Sequence, residues 1–191
     1  LTLSLDTFYI DNNDKTKLSD KVKVYGTHLS YLTYDKKYYA DLGYAYSDYY
    51  KGLTIEQWTP TFGFGFNKQR DWLQVRGYFI SSNKRNRTQG EKNVEAVDLS
   101  LTHYFDGQTF KLNKIKGSYL TGERFYTVDR DSANVYNLDD IQKEGFALLA
   151  EFQLNETIKL TVSGGKERFI NKILNDSYSS TYIYSALSTT F

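Results

Sequence analysis

A chain of 191 residues with 24 basic and 23 acidic side chains has a formal charge of +1, a balance that suggests neither a nucleic-acid surface nor an acidic partner. The absence of Cys excludes a disulfide framework and a thiolate metal site. The absence of Met points to a processed or trimmed start, which makes export an expectation.

Aromatic residues make up 17% of the chain, with 18 Tyr and 12 Phe against a single Pro. Tyrosine is favoured where one end of its ring is apolar and the other wet. No apolar run approaches the roughly 18–20 residues a membrane helix needs. The mean hydropathy is −0.58. A strand that alternates apolar and polar residues averages to such a value while keeping one greasy face.

Period-two alternation predicts strands over 1–12, 18–34, 38–50, 53–66, 71–83, 92–105, 109–128, 143–154, 157–170 and 178–191. In the first, Leu1, Leu3 and Leu5 alternate with Thr2, Ser4 and Asp6. Further on, Leu42, Tyr44 and Tyr46 alternate with Asp41, Gly43 and Ala45, and Trp58, Phe62, Phe64 and Phe66 with Gln57, Thr61, Gly63 and Gly65. Val97, Leu99 and Leu101 then alternate with Asp98, Ser100 and Thr102. Phe146, Leu148, Ala150 and Phe152 face away from Glu151 and Gln153, and Ile158, Leu160 and Val162 away from Lys159, Thr161 and Ser163. The pattern implies one greasy and one polar face throughout. Strands of this length match the roughly 9–11 residues that a tilted strand uses to cross a bilayer.

The links between them alternate in length. Turns at Asp35–Lys37, Asn67–Arg70, Asp106–Gln108 and Asn155–Glu156 are short, and 13–17, 84–91, 129–142 and 171–177 are longer and polar; 51–52 is a short exception on the long-loop side. Short turns at one end and long loops at the other are the habit of outer-membrane barrels. Tyr31, Tyr34, Tyr38, Tyr39, Phe66, Trp72, Tyr104, Phe105 and Phe110 gather at the short-turn ends. Tyr9, Tyr49, Tyr50, Tyr126, Phe146, Phe169 and Tyr178 lie toward the long loops, as two interfacial bands would. The expected fold is therefore all-β: a single-domain, transmembrane, antiparallel up-and-down β-barrel over 1–191. About ten strands (roughly 8–12) would leave both termini periplasmic. A soluble lipocalin-like carrier is the alternative.

The final strand reads Tyr182-Ile183-Tyr184-Ser185-Ala186-Leu187-Ser188-Thr189-Thr190-Phe191. An alternating last strand ending in Phe resembles the C-terminal signal of Gram-negative outer-membrane β-barrel proteins. The resemblance implies a place in the bacterial outer membrane and recognition by the barrel-assembly machinery. Ile183, Leu187 and Phe191 would then face lipid.

Turning the greasy face outward leaves Asp6, Asp41, Arg76, Asp98, Lys114, Lys116, Arg124, Glu151 and Lys159 on the inner face. Charges in a narrow barrel have to be hydrated or paired. Asp41, Arg76, Asp98, Lys114, Lys116, Arg124, Glu151 and Lys159 are thus the candidate pore-lining residues of a small passive, porin-like channel for small solutes or ions. The second functional expectation is a plugged structural or adhesion barrel acting through its long loops. Gly26, Gly43, Gly63 and Gly65 either leave room for water inside or let the sheet bend.

A third expectation, an outer-membrane lipid-modifying enzyme, rests on His28-Leu29-Ser30, an imidazole and a hydroxyl on one strand face. The pair resembles the His-x-Ser of outer-membrane lipid A deacylases, but it lies in the second strand, faces inward and has no assigned carboxylate to orient it. Omptin-type proteases gather carboxylates and a His at the outer rim, which His28 and His103 are placed too low to supply. Asp129, Asp131, Asp139 and Asp140 form an acidic loop that reads as a solvated loop rather than a calcium site, and no cofactor is expected. The basic stretch Asn83-Lys84-Arg85-Asn86-Arg87 suggests contact with lipopolysaccharide phosphates by a monomeric protein.

Overall fold

The computed structural model describes residues 1–12, 20–106, 111–129, 134–135 and 140–189. Phe110, Asp131, Asp139, Thr190 and Phe191, all singled out above, lie outside them. The strands are β1 (Thr2–Ile10), β2 (Val22–Leu32), β3 (Tyr38–Tyr49), β4 (Leu53–Phe66), β5 (Asp71–Ser82), β6 (Asn93–Tyr104) and β7 (Leu112–Arg124). A two-residue pair follows, β8 (Val128–Asp129) and β9 (Asn134–Val135), and then β10 (Ile141–Gln153), β11 (Ile158–Asn171) and β12 (Asp176–Thr189). Ten strands form one antiparallel sheet in the order β1-β2-β3-β4-β5-β6-β7-β10-β11-β12. Each of the ten predicted strands is present. The sheet is not closed, however: β1 pairs only with β2 and β12 only with β11.

The short turns are built by side chains that replace backbone partners. Lys37 N donates to Thr33 Oγ1 and to Asp35 Oδ1, each at 3.1 Å. The Thr33 hydroxyl donates to the same carboxylate at 2.6 Å and is the main reason the Asp35 carboxyl titrates below its ordinary range. Asn155 Oδ1 accepts from the N–H groups of Thr157 (3.0 Å) and Ile158 (2.8 Å). These are local turns of the kind Asp and Asn favour.

Face assignment follows the predicted alternation through the short-turn half. Leu3, Leu5, Leu29, Leu42, Trp58, Phe62, Leu99, Leu101, Phe146, Leu148, Ile183 and Leu187 stand exposed on the outer face. Ile183 pairs with Gly164 and Leu187 with Leu160, so the last strand presents its apolar residues on the side expected.

The expectation of one polar face throughout is corrected at the long-loop end. There Val22, Val24, Tyr49, Leu53, Ile55, Ile80, Val94 and Ile141 point inward and form a buried apolar cluster. Lys23, Glu56 and Glu95 are exposed on the outer face at that end, and Glu144 and Arg168 pair there at 3.5 Å. Tyr49, Tyr126 and Phe169, expected in the aromatic band, belong to this inner packing instead.

A second correction concerns the strand predicted over 109–128, which ends at Arg124. Gly122, at φ 109°, is the last residue paired with β6 and lies at a register shift against β10, at a point where a Cβ would come within 2.4 Å of Glu95 O. Only glycine relaxes into that conformation with so close a neighbour. Beyond it Phe125, Tyr126, Thr127 and Val128 turn inward and are buried. Tyr126, at φ 45°, packs edge-on against Tyr49 with ring centroids 4.8 Å apart.

Candidate functional site

The inward turn divides the inner face into two parts. On the β1–β5 side it fills the space. Gln57, on β4, donates from Nε2 to Val128 O at 2.7 Å and accepts from Val128 N at Oε1 at 3.0 Å. A primary amide matches both peptide groups of one residue, so the side chain acts as one rung of an extra strand. Arg76 on β5 donates from Nε to Thr61 Oγ1 at 3.1 Å and places Nη1 3.7 Å from Asp129, the residue after Val128. The space left here is about 30 Å³.

On the other side an open cavity of about 330 Å³ remains, walled by β5, β6, β7, β10, β11 and β12. The sheet is therefore strongly curled, since Arg76 and Tyr182 reach one space from strands that are not neighbours. Arg124 closes its long-loop end. It is 7% exposed, donates from Nε to Gln142 Oε1 at 2.5 Å and stacks 5.1 Å from the centre of the Tyr78 ring. Above it the apolar core begins with Phe125 and Phe169.

The eight candidate pore-lining residues all lie on the inner face, in three groups rather than one ring. Arg76, Asp98, Lys116 and Arg124 line the cavity. Lys114, Glu151 and Lys159 form a separate cluster toward the short turns, with Lys114 Nζ 3.0 Å and Lys159 Nζ 3.8 Å from the Glu151 carboxylate. Asp41 lies outside the cavity, in the small filled space that Arg76 also lines. It is 8% exposed, contacts His28 Nδ1 at 3.1 Å through Oδ1, and shares the small filled space with Asp6.

Asp41 is thus the carboxylate partner that the sequence did not assign to His28. It does not make the pair a nucleophilic site. No hydrogen bond joins Ser30 to His28 among the described residues. The His28 ring lies over Gly43, where a Cβ would come within 2.5 Å of its Cε1. The inner-face glycines leave room for side chains as much as for water or bends: Gly63 and Gly65 take the Trp72 ring, and Gly165 takes the Tyr182 phenol. Trp72 accordingly faces inward rather than joining an outer band.

Sequence reasoning missed Gln57, Gln142, Glu167 and Tyr182. The first three sit at inward positions of the same alternation. A search for charge passes over amides, and the reading of 157–170 stopped at Ser163. Of the acidic loop, Asp129 faces Arg76, and Asp140 accepts from Gln89 (3.1 Å), Asn171 (2.8 Å) and Tyr178 (2.9 Å). His103 contacts Asp71 at 2.6 Å near the short-turn end. The chain matches no protein-family model, no curated protein and no solved structure.

Proposed function

We propose that β1 closes against β12 and that the chain stands in a bacterial outer membrane as a monomeric ten-stranded barrel, plugged at its long-loop end. The apolar outer belt supports the membrane part of this reading. Large side chains such as Leu5 and Ile183 are 77% and 85% exposed, and leaving each in water rather than hydrocarbon forgoes about 1.5–3 kcal/mol. Soluble monomers rarely expose apolar surface so continuously. Closing the edges would also pair the free N–H and C=O groups of both strands, which a bilayer requires.

The observation that carries the plug is the two-way hydrogen bonding of Gln57 to Val128, both buried on the inner side of the sheet. It favours a plugged structural barrel over the small passive channel. Such a barrel acts through its long-loop rim, and that rim is cross-braced. Lys172 Nζ lies 2.7 Å from Glu91 and 3.0 Å from Glu123, which also pairs with Lys143. In the basic stretch, Lys84 and Arg87 donate to the carbonyls of Lys51 and Tyr50. Two cations offered above to lipopolysaccharide are thus engaged with the backbone.

Planar-bilayer recording of the refolded protein tests the reading. The native chain is expected to insert silently, and Gln57→Ala to give intermittent conductance steps. Steady steps from the native chain would favour the passive channel. A chain that stays folded and dispersed without detergent would sink the membrane assignment.

A further inference from the structure

The open cavity holds charges that act on one another at a distance, Lys116, Arg124 and Arg76 on Asp98, and not all of them meet a partner in direct contact. Arg76 faces Asp129, but Lys116, Asp98 and Glu167 form no ion pair or hydrogen bond among the described residues. Gln142 adds an independent sign. It is 3% exposed, its Oε1 is held by Arg124, and its Nε2 is buried with no acceptor. A buried donor without an acceptor is destabilising, so Gln142 calls for an acceptor from outside the chain.

The formal charges of the lining balance, with three cations (Arg76, Lys116, Arg124) against three anions (Asp98, Asp129, Glu167). A net anion would satisfy Lys116 and Gln142 but repel Asp98 and Glu167, and a net cation would do the reverse. A neutral polyol would meet hydrogen bonds and neutralise no charge. A molecule with separate ammonium and carboxylate ends answers both sets at once. At about 330 Å³ the space suits one of amino-acid to dipeptide size.

We infer that this cavity is a binding site for a small zwitterion, an amino acid or short peptide, held with its carboxylate toward Lys116 and Gln142 and its ammonium toward Asp98 and Glu167. The Tyr182 ring supplies a wall beside it. The inference rests on the plugged reading, because the plug makes this space a dead-end pocket rather than a stretch of a through-channel.

The test is calorimetric titration of the detergent-folded protein with glycylglycine, acetate, ethylammonium and glucose as separate probes. Glycylglycine is expected to bind at least tenfold more tightly than the other three. Asp98→Asn and Lys116→Gln should each weaken it about tenfold, and circular dichroism should confirm that both variants fold. Glucose binding as tightly, indifference to both substitutions, or no binding by folded protein would each overturn the inference. Bilayer recording on the same preparation separates the two failures. Silence without binding removes the ligand alone, whereas steady native conductance removes the plug on which it rests.

Discussion

The two ends of this sheet have opposite polarity. In the short-turn half Leu42, Leu99, Leu101 and Leu148 face outward while Asp98, Lys116 and Glu151 face inward. At the long-loop end Lys23, Glu56 and Glu95 face outward, and Val24, Ile55, Ile80 and Val94 pack inward. The pairs β3–β4 and β5–β6 run through the change without losing register, whereas β10 shifts against β7 and β11 between Gln142 and Glu144. In the proposed setting the outer solvent changes from hydrocarbon to water partway along each strand. One strand then serves as membrane wall below and as the shell of an ordinary apolar core above.

The largest effect should come from the inverted end. Ile55→Ala empties a site that is 1% exposed and should cost about 2–5 kcal/mol, read by urea unfolding in lipid vesicles. A loss well under 1 kcal/mol would mean that the inward residues there are not packed. Next, Leu99→Arg should cost about 2–4 kcal/mol in vesicles, as a cation near mid-bilayer does, and Glu95→Arg on the same strand face should cost little. Equal costs for the two would erase the boundary between the regions.

The smallest effect belongs to the rim. Lys172→Ala should cost under ~1 kcal/mol and matter less in high salt. Partial burial pulls the Lys172 pKa down, but the hydrogen bonds it donates to Glu91 and Glu123 outweigh it and hold the ammonium above its ordinary 10.5. A folded value above the unfolded one stabilises below about pH 10.5 and is lost as pH rises through the folded value. The difference between native chain and variant should therefore shrink at strongly alkaline pH, and again in acid as the Glu123 carboxylate is protonated. A difference that vanished near neutrality would dissociate the pair from stability.

Much of the fold was legible in the chain. Alternation at Leu1, Leu3 and Leu5 or at Val97, Leu99 and Leu101 identifies a strand and its outer face from neighbours two residues apart. The inversion was written in the same positions, since Val22, Val24, Leu53 and Ile55 alternate as cleanly as the belt. Assigning every apolar stripe to the outside hid it. In the candidate site, the inner-face charges were legible, but their division into three groups was not.

What the sequence determined by itself is local: ten strands, their turns and the period that separates two faces. Backbone pleating imposes that period wherever a strand forms. The tertiary structure alone decided which face is buried at each end and that the chain past Gly122 folds inward. It also brought Gln57 to Val128 across 71 residues and left Lys116, Asp98 and Glu167 around one open space. These depend on how far the sheet curls and what then fits inside it, and neither is encoded in the spacing of residues along a single strand.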